Sequence, residues 1–417
     1  MRDRPIRRML DAAEDASPVS SVEAVTRELG AALEALSVSF LIADLSGRAL
    51  VRLTHVALGG AAADGDRHDD QERATVLPFD GGPAEQALRS QQVQVLPPQA
   101  PRAWTVLAPI TERGEALGLL ELELPVEPAA DVVAEVRRTA HVLGYVVIAS
   151  RRHTDLYEWG QRSTPFSLSA EIQRRLLPAA YTCEAGSFTL AAWLEPAQTI
   201  AGDTFDYSLG RDQLHLSVTD AVGHGVDSAL TATLCVGSLR NTRRHGATLL
   251  EQAATTNEAL VLDGGGTDGE RFATALLGRL DLRTAELELV NAGHTAPYLS
   301  RDGQVRTLDL PADLPLGLFE GSTYRSTTVP LRTGDRIVVV TDGMLERAAA
   351  GVDLEVHIKR TAALHPREAT RELSDLVLAA SGGVLADDAA LVVLDWHGSH
   401  GLPRRTVAGA DVGPPRS

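Results

Sequence analysis

The sequence predicts an α+β protein with two domains. A chain of 417 residues is longer than the usual length of a domain with a single hydrophobic core. The 44% hydrophobic content is enough for a core in each domain. From about residue 165, many short β-type runs lie between Gly and Asp turns, with helices grouped between them. This grouping predicts two stacked antiparallel sheets covered by helices in the second domain.

Composition excludes some classes of protein. The net charge of −17 argues against a nucleic-acid partner, which would need clustered Lys and Arg. Two cysteines, Cys183 and Cys235, are too few for a disulfide framework and predict reduced structural thiols. The basic start is followed by "DAAEDASP" instead of an apolar stretch, so no signal peptide is expected. The most apolar stretch, 141–149, is shorter than the ~20 residues that span a bilayer, so we expect a cytoplasmic protein.

The first domain begins after residues 1–17, which are polar and expected to be disordered. Helical periodicity over 21–36 precedes two β-type runs, "SVSFLIADL" and "ALVRLTHVAL". A loop rich in Gly, Ala and Asp (59–72) leads to a short strand, a helix at "GPAEQALRSQ", a strand at "VQVL" and the strand pair "WTVLAPI" and "ALGLLELEL". This order over 18–128 resembles a GAF-type sensor domain. A small-molecule sensor, a degenerate dimerisation module and an unrelated α+β domain all fit the pattern.

Residues 129–164 are predicted to form a connecting helix and linker. A stripe of apolar residues runs along "ADVVAEVRRTAHVLGYVVIASRRHTDLYEW" at helical spacing. This stripe fits packing on the helix's own domain, and it also fits pairing between protomers in a homodimer. The last segment, 398–417, is rich in Gly, Pro and Arg and is expected to be a disordered tail.

Acidic residues recur in the second domain where an apolar strand breaks into a turn. They lie in "IAGDTFDY", "VTDAVGHG", "VVVTDGML" and "VLADDAALVV", as Asp203, Asp220, Asp342, Asp387 and Asp388. Each alone fits an ordinary turn. Clustered carboxylates repel one another and need compensating cations, and hard oxygen ligands suit Mg²⁺ or Mn²⁺. The spacing therefore predicts a divalent-metal site.

A run of motifs carries a family resemblance over about 165–397. In order they are "EIQRRLLP", "PAQTIAGDTFDY", "VTDAVGHGVDSAL", "FATALLGRLDL", "NAGHTAPYL", "GDRIVVVTDGMLE" and "DDAALVVL". The run resembles the SpoIIE/RsbU branch of the PPM metal-dependent protein serine/threonine phosphatases. An upstream GAF-like sensor is a familiar arrangement in that branch.

The resemblance implies an αββα sandwich with two Mn²⁺ or Mg²⁺ ions. It implies hydrolysis of phosphoserine or phosphothreonine by a metal-activated water, on a phosphorylated anti-sigma-factor antagonist of the STAS type. The GAF-like domain would receive a small-molecule or protein signal. The metal ligands carried over by motif are Asp203 and Asp220, which are also the catalytic residues, the carbonyl of Ala221, Asp342 and Asp387, with Asp388 as a neighbour that reaches metal through water.

Further residues in these motifs are predicted to shape the site: Gly202, Gly223, His224, Gly225, His294 and Gly343. The sequence departs from the family pattern at Ala201, at Thr204-Phe205, at Val222 and at Ala389 or Ala390, and none of these removes a carboxylate. No Arg matches the phosphate clamp of eukaryotic members, for which Arg174 and Arg175 are weak stand-ins. The segment 311–325 is predicted to be either a mobile flap or a long connection.

Two alternative functions remain at this stage. A pseudophosphatase would use the same domain for binding and signalling alone, although the retained carboxylates argue against it. A diguanylate cyclase is suggested by "AGDTF", but that motif needs an acidic residue where Thr204 stands and lies on a hairpin turn.

Overall fold

The computed structural model describes residues 4–45, 47–58, 76–98, 103–162, 166–195, 202–265, 271–348, 353–382, 385, 387–402, 406 and 409–410. The chain divides into two compact units, Met1–Pro165 with Arg405–Asp411 and Phe166–Arg404 with Val412–Ser417. None of the described helices is both long and apolar enough to cross a bilayer. The loop predicted over 59–72 lies outside the described residues.

The first unit is a six-stranded antiparallel sheet with helices on both faces. Its elements are α1 (Arg4–Asp15), α2 (Ser21–Ala32), β1 (Ser37–Ala43), β2 (Ala49–Ala57), β3 (Val76–Pro78), α3 (Pro83–Ser90), β4 (Gln94–Leu96), β5 (Trp104–Glu112), β6 (Glu115–Leu124), α4 (Ala130–Ser150) and α5 (Leu156–Gly160). The strand order is β3-β2-β1-β6-β5-β4. Strand β1 is buried along nearly its whole length because α2 and α4 cover one face of the sheet and α3 covers the other.

Both predicted disordered termini need correction. Residues Arg4–Asp15 form helix α1 because Met9 and Ala13, four residues apart, present one apolar side to α2 and α4; Met9 is only 3% exposed. In the tail, Gly409 donates its backbone N–H to Thr111 Oγ1 (2.9 Å) and Ala410 is buried. Disorder is therefore wrong for Arg4–Asp15 and for these two tail residues.

The connecting helix also differs from its prediction. It is broken into α4 and α5, separated at residues 151–155. Its apolar stripe, including Val136, Leu143 and Val147, is buried in the core of its own unit. Gly144 permits this packing because a Cβ there would lie 3.2 Å from the carbonyl oxygen of Thr111 on β5. The stripe therefore packs on its own domain, the first of the two alternatives.

The second unit contains the remaining elements. They are α6 (Leu168–Leu176), β7 (Thr182–Glu184), β8 (Phe188–Glu195), β9 (Asp203–Leu209), β10 (Gln213–Ala221), α7 (Gly225–Arg244), α8 (Leu249–Leu260), β11 (Ala273–Asp281), β12 (Glu286–Ala292), β13 (Tyr298–Arg301), β14 (Gln304–Thr307), β15 (Ser326–Pro330), β16 (Arg336–Val340), α9 (Asp342–Ala348), α10 (Leu354–Arg360), α11 (Pro366–Ala380) and β17 (Ala389–Trp396). The eight predicted strands and helices from β8 to β12 and at β17 are present close to their expected positions.

These elements form an αββα sandwich, which confirms the predicted fold. One antiparallel sheet has the order β15-β12-β11-β10-β9 and the other the order β14-β13-β16-β17-β8-β7. Side chains from both sheets, such as Phe205 and Leu276 from the first and Phe188 and Ile337 from the second, share one core. Helices α7 and α8 cover the five-stranded sheet, and α10 and α11 cover the six-stranded sheet.

The segment 311–325 is tied to the five-stranded sheet. Leu316 is fully buried and exchanges backbone hydrogen bonds with Ala273. The backbone N–H of Gly317 donates to Asn257 Oδ1 (2.9 Å), and Asn257 Nδ2 donates to the carbonyl of Phe319 (3.0 Å). These contacts favour the long connection over the mobile flap.

Candidate metal centre

The predicted carboxylates come from the ends of strands in both sheets. Asp203 opens β9 and is the direct cross-strand partner of Asp220 on β10, so the two side chains emerge on the same face. Asp342 opens α9 just after β16. Asp387 and Asp388 immediately precede β17, which pairs with β16. The fold therefore brings together all five acidic residues, which are separated along the sequence.

Asp388 links the two sheets at this end of the sandwich. Its Oδ2 accepts hydrogen bonds from Gln173 Nε2 (2.6 Å) and from the backbone N–H of Gly202 (3.0 Å). Gln173 Nε2 also donates to the carbonyl of Asp203 (2.8 Å). Gln173 and Asp388 are each 1% exposed. Gln173 lies in the "EIQRRLLP" motif but was not predicted as a site residue, because nothing in the local pattern sets it apart from its half-buried neighbours Ile172 and Arg174.

Asp203 is a buried carboxylate with an unsatisfied oxygen. It is 3% exposed, and its Oδ2 has no hydrogen-bond partner among the described residues. Burial raises its pKa well above the usual range, and the charges of Asp220 and Asp388 raise it further, while a hydrogen bond from the Thr341 side chain lowers it. Leaving a buried acceptor unpaired is costly. A cation at Oδ2 would remove that cost.

The neighbouring carboxylates are destabilised by one another as well. Burial raises the pKa of Asp220 to about 7, with further contributions from Asp342, Asp387 and Asp388. Burial and the charge of Asp387 raise the pKa of Asp342, and the backbone N–H of Gly343 opposes this. No Arg or Lys among the described residues contributes to these three pKa shifts. The cluster therefore has hard oxygen donors and excess negative charge, as Mg²⁺ or Mn²⁺ sites do.

The donors do not form a closed cage. Among the described residues, no group of three or more His, Cys, Asp or Glu side chains is spaced to hold one ion as they stand. Mg²⁺ in proteins is often held by one or two carboxylates and several waters, so an open set of this kind still fits such an ion.

Two glycines allow the chain to approach closely beside the carboxylates. A Cβ on Gly202 would lie 2.3 Å from the carbonyl oxygen of Ala221, and one on Gly343 would lie 1.9 Å from the carbonyl oxygen of Asp388. Such contacts do not occur with real Cβ atoms, so both positions require glycine. The motif glycines thus permit the backbone to pack tightly around the carboxylate ends.

The remaining predicted site residues lie nearby with different surroundings. Gly223 and Gly225 have positive φ angles of 112° and 70° in the bend after Asp220. His224 is the N-cap residue of α7, is exposed and makes no capping hydrogen bond with its side chain. His294 is buried beside Thr274. Arg174 lies over the ring of Tyr181 and donates a hydrogen bond to its hydroxyl, and neither contact involves the carboxylates.

The raised pKa of Asp220 predicts the pH dependence of the metal-free protein. Between its ordinary pKa of 3.8 and about 7, the folded state holds a proton that the unfolded state has lost, so stability falls as pH rises through this window. We expect the EDTA-treated chain to lose roughly 2–4 kcal/mol of unfolding free energy between pH 4 and pH 8 from this group. Urea unfolding at both pH values measures this, and Asp220→Asn should reduce the difference by that amount, while the raised pKa values of Asp203 and Asp342 account for the remainder. Equal slopes in the parent and the variant would contradict it.

An αββα sandwich with acidic strand ends at one edge defines the domain as a PPM-type phosphatase domain. Residues 210–397 match the family model described as Stage II sporulation protein E (SpoIIE), so the chain carries a SpoIIE-family domain. The resemblance predicted from the motifs is thereby confirmed for this domain. The GAF-like assignment of the N-terminal unit stays a prediction.

The chain is also similar to individual curated proteins and to a solved structure. The chain is 24% identical over 236 residues to the phosphoserine phosphatase RsbU of Bacillus subtilis, and the aligned region covers 54% of this chain and 68% of RsbU. It is 22% identical over 200 residues to stage II sporulation protein E of Bacillus subtilis, covering 47% of this chain and only 24% of that protein. A crystal structure of RsbU and RsbW domains from Mycobacterium tuberculosis covers 52% of this chain and 62% of that chain, at 27% identity and a TM-score of 0.45.

Proposed function

We propose that this chain is a metal-dependent protein serine/threonine phosphatase that dephosphorylates a regulatory phosphoprotein. The observation that carries the proposal is the pair Asp203 and Asp220, which lie directly opposite each other on adjacent strands. Asp203 Oδ2 is buried without a hydrogen-bond partner among the described residues, and no described Arg or Lys contributes to the pKa shift of either carboxylate. The similarity to a phosphoserine phosphatase supports phosphoserine as the substrate group.

Two Mn²⁺ or Mg²⁺ ions would be held by Asp203, Asp220, the carbonyl of Ala221, Asp342 and Asp387. Bound there, such ions would supply Lewis acidity and an activated water for attack on phosphorus. The chain's own contribution is to position the donors. Asp220 lies close enough to Asp342, Asp387 and Asp388 for their charges to raise its pKa.

We assign the ligand role within the final pair to Asp387 and a supporting role to Asp388. Asp388 Oδ2 is already engaged by Gln173 and Gly202. Asp387 is less buried, and its Oδ1 accepts only a backbone hydrogen bond from Asp388 in the described contacts, which leaves carboxylate lone pairs for an ion.

Substitutions in this pair should therefore have different effects. Asp387→Asn is expected to raise the half-saturating Mn²⁺ concentration about ten-fold or more with little change in stability. Asp388→Ala leaves buried donors of Gln173 and Gly202 unpaired and should cost about 2–3 kcal/mol of unfolding free energy. Mn²⁺ titration and urea unfolding of both variants measure the two effects. The reverse pattern would exchange the two roles.

The proposed partner is a phosphorylated anti-sigma-factor antagonist of the STAS type, and the proposed regulator is a GAF-like N-terminal domain that senses a small molecule or protein. The relation to RsbU and the upstream six-stranded α+β unit support these proposals. The homodimer, which the apolar stripe of the connecting helix suggested, is not proposed further because that stripe is buried in its own unit.

A hydrolysis assay tests the proposed activity. The full chain, stripped of metal and then supplied with Mn²⁺ or Mg²⁺, should hydrolyse p-nitrophenyl phosphate and a phosphoserine protein of the STAS type. EDTA should abolish both reactions. Absence of hydrolysis by a folded, Mn²⁺-binding chain would favour the pseudophosphatase alternative.

The diguanylate cyclase alternative has a separate check. Asp203 opens strand β9 opposite Asp220, whereas that alternative requires a hairpin turn at this motif. Incubation of the chain with GTP should give no cyclic dinucleotide.

A further inference from the structure

His294 occupies a fixed position in the turn after β12. It is 7% exposed, and Asn291 holds the turn from both sides. The backbone N–H of His294 donates to Asn291 Oδ1 (2.7 Å), and Asn291 Nδ2 donates to the carbonyl of His294 (2.9 Å). Asn291 is itself 4% exposed, so this clamp is shielded from water. The orientation of the histidine is therefore set by the fold.

The imidazole ring is neutral and lies between two groups. Its Nδ1 lies 2.9 Å from Thr274 Oγ1. Burial lowers the pKa of His294 to about 4, and a weaker interaction with the carbonyl of Val340 raises it. Its Nε2 is buried and makes no hydrogen bond of good geometry with the described residues. The ring is therefore held by Thr274 on one side, in a turn whose next residue, Thr295, bonds to the carbonyl of Val340.

The two segments that flank the ring lead directly to the carboxylates. Thr274 on β11 is the direct cross-strand partner of Asp220 on β10. Val340 is the last residue of β16, two positions before Asp342. Thr295, next to His294, donates its hydroxyl hydrogen bond to the carbonyl of Val340. Residues 294–295 thus connect the five-stranded sheet at the level of Asp220 to the six-stranded sheet just before Asp342.

We propose that His294 is a positioning residue that, through Thr274 on one side and, by way of the adjacent Thr295, the end of β16 on the other, sets the separation between Asp220 and Asp342. This inference rests on the proposed function, because the separation matters for holding divalent cations. His294 contacts neither carboxylate in the described hydrogen bonds and acts through its neighbours. Outer partners of this kind typically change metal affinity by roughly 10–100-fold when they are removed.

Four substitutions in the full chain test the role. His294→Leu removes both ring nitrogens, and His294→Asn keeps a polar group near the Nδ1 position. Thr274→Val removes the hydroxyl at nearly constant shape, and Thr274→Ser restores it. His245→Asn and Thr328→Val serve as matched controls, because His245 is exposed at the end of α7 and Thr328 is exposed on the edge strand β15.

Mn²⁺ binding, followed by the electron paramagnetic resonance of the free ion, is the primary measurement, with kcat as the second. We expect His294→Leu and Thr274→Val to weaken Mn²⁺ binding about ten-fold. His294→Asn and Thr274→Ser should stay within about three-fold of the parent, and the controls should not change.

The outcomes separate this inference from the proposed function. Unchanged Mn²⁺ affinity in a folded Thr274→Val protein would overturn the positioning role, and this variant decides the matter if His294→Leu does not fold. Equal weakening in Thr274→Val and Thr274→Ser would also overturn it, since the hydroxyl would then be irrelevant. Failure of the parent chain to bind Mn²⁺ or to hydrolyse phosphoserine would instead overturn the proposed function.

Discussion

Asp220→Asn is expected to lower Mn²⁺-dependent hydrolysis by the full chain more than ~100-fold, beyond the loss typical of an outer-shell partner of a metal. Asp220 is the direct cross-strand partner of Asp203, and three further carboxylates influence its pKa. The amide keeps the shape of the side chain but removes the negative charge that would neutralise two cations. Initial rates with p-nitrophenyl phosphate, over a range of Mn²⁺ concentrations, measure the loss.

The same variant should be more stable than the parent when metal is absent. At pH 8 the parent must ionise Asp220 against its raised pKa of about 7, whereas Asn carries no charge. Urea unfolding in EDTA at pH 8 should show a gain of about 2 kcal/mol. Asp212→Asn, at an exposed turn residue, is the matched control. A variant that keeps full activity, or that is less stable than the parent in EDTA, would contradict the role of Asp220.

Asp206→Ala is expected to cost about 3 kcal/mol of unfolding free energy, because it leaves two arginines without their buried partner. Asp206 on β9 is 5% exposed and accepts hydrogen bonds from Arg240 Nε (3.1 Å) and Arg243 Nη1 (3.0 Å) of α7. Arg240 also donates to the carbonyl of Leu176 at the end of α6. One carboxylate therefore joins α6, α7 and the strand that begins with Asp203.

Urea unfolding of the full chain, followed by circular dichroism, measures this loss. Because the chain has two units, the transition must be resolved for the second unit before a free energy is assigned. Asp206→Asn keeps an acceptor and should lose less, and Asp212→Ala is the exposed control. A loss below 1 kcal/mol in Asp206→Ala would show that the arginines find water or other partners.

The sequence by itself was enough for the sandwich and for the set of candidate acidic residues. Apolar residues alternate with polar ones in β10 and are continuous in most of β16. Asp220 lies near the end of β10, and Asp342 lies two residues after β16. Patterns of this kind are local, so they can be read without knowledge of the fold. The motif order then pointed to the phosphatase class, which the family match confirms.

Elements whose burial depends on a distant partner were missed or misread. Residues of helix α1 were predicted to be disordered because they are mostly polar, and the contact of Met9 with Thr139 on α4 exists only in the folded chain. In the same way, the apolar stripe of the connecting helix does not itself indicate that β5 covers it. The role of Asp388 depends on Gln173, which is 215 positions away in the chain. Likewise, nothing local shows that His294 would lie beside Thr274 or that Thr295 would bond to Val340. The sequence alone determined which residues could carry the chemistry. Only the tertiary structure decided which carboxylate is engaged in hydrogen bonds, because hydrogen bonds and burial between distant segments exist only once the two sheets have packed.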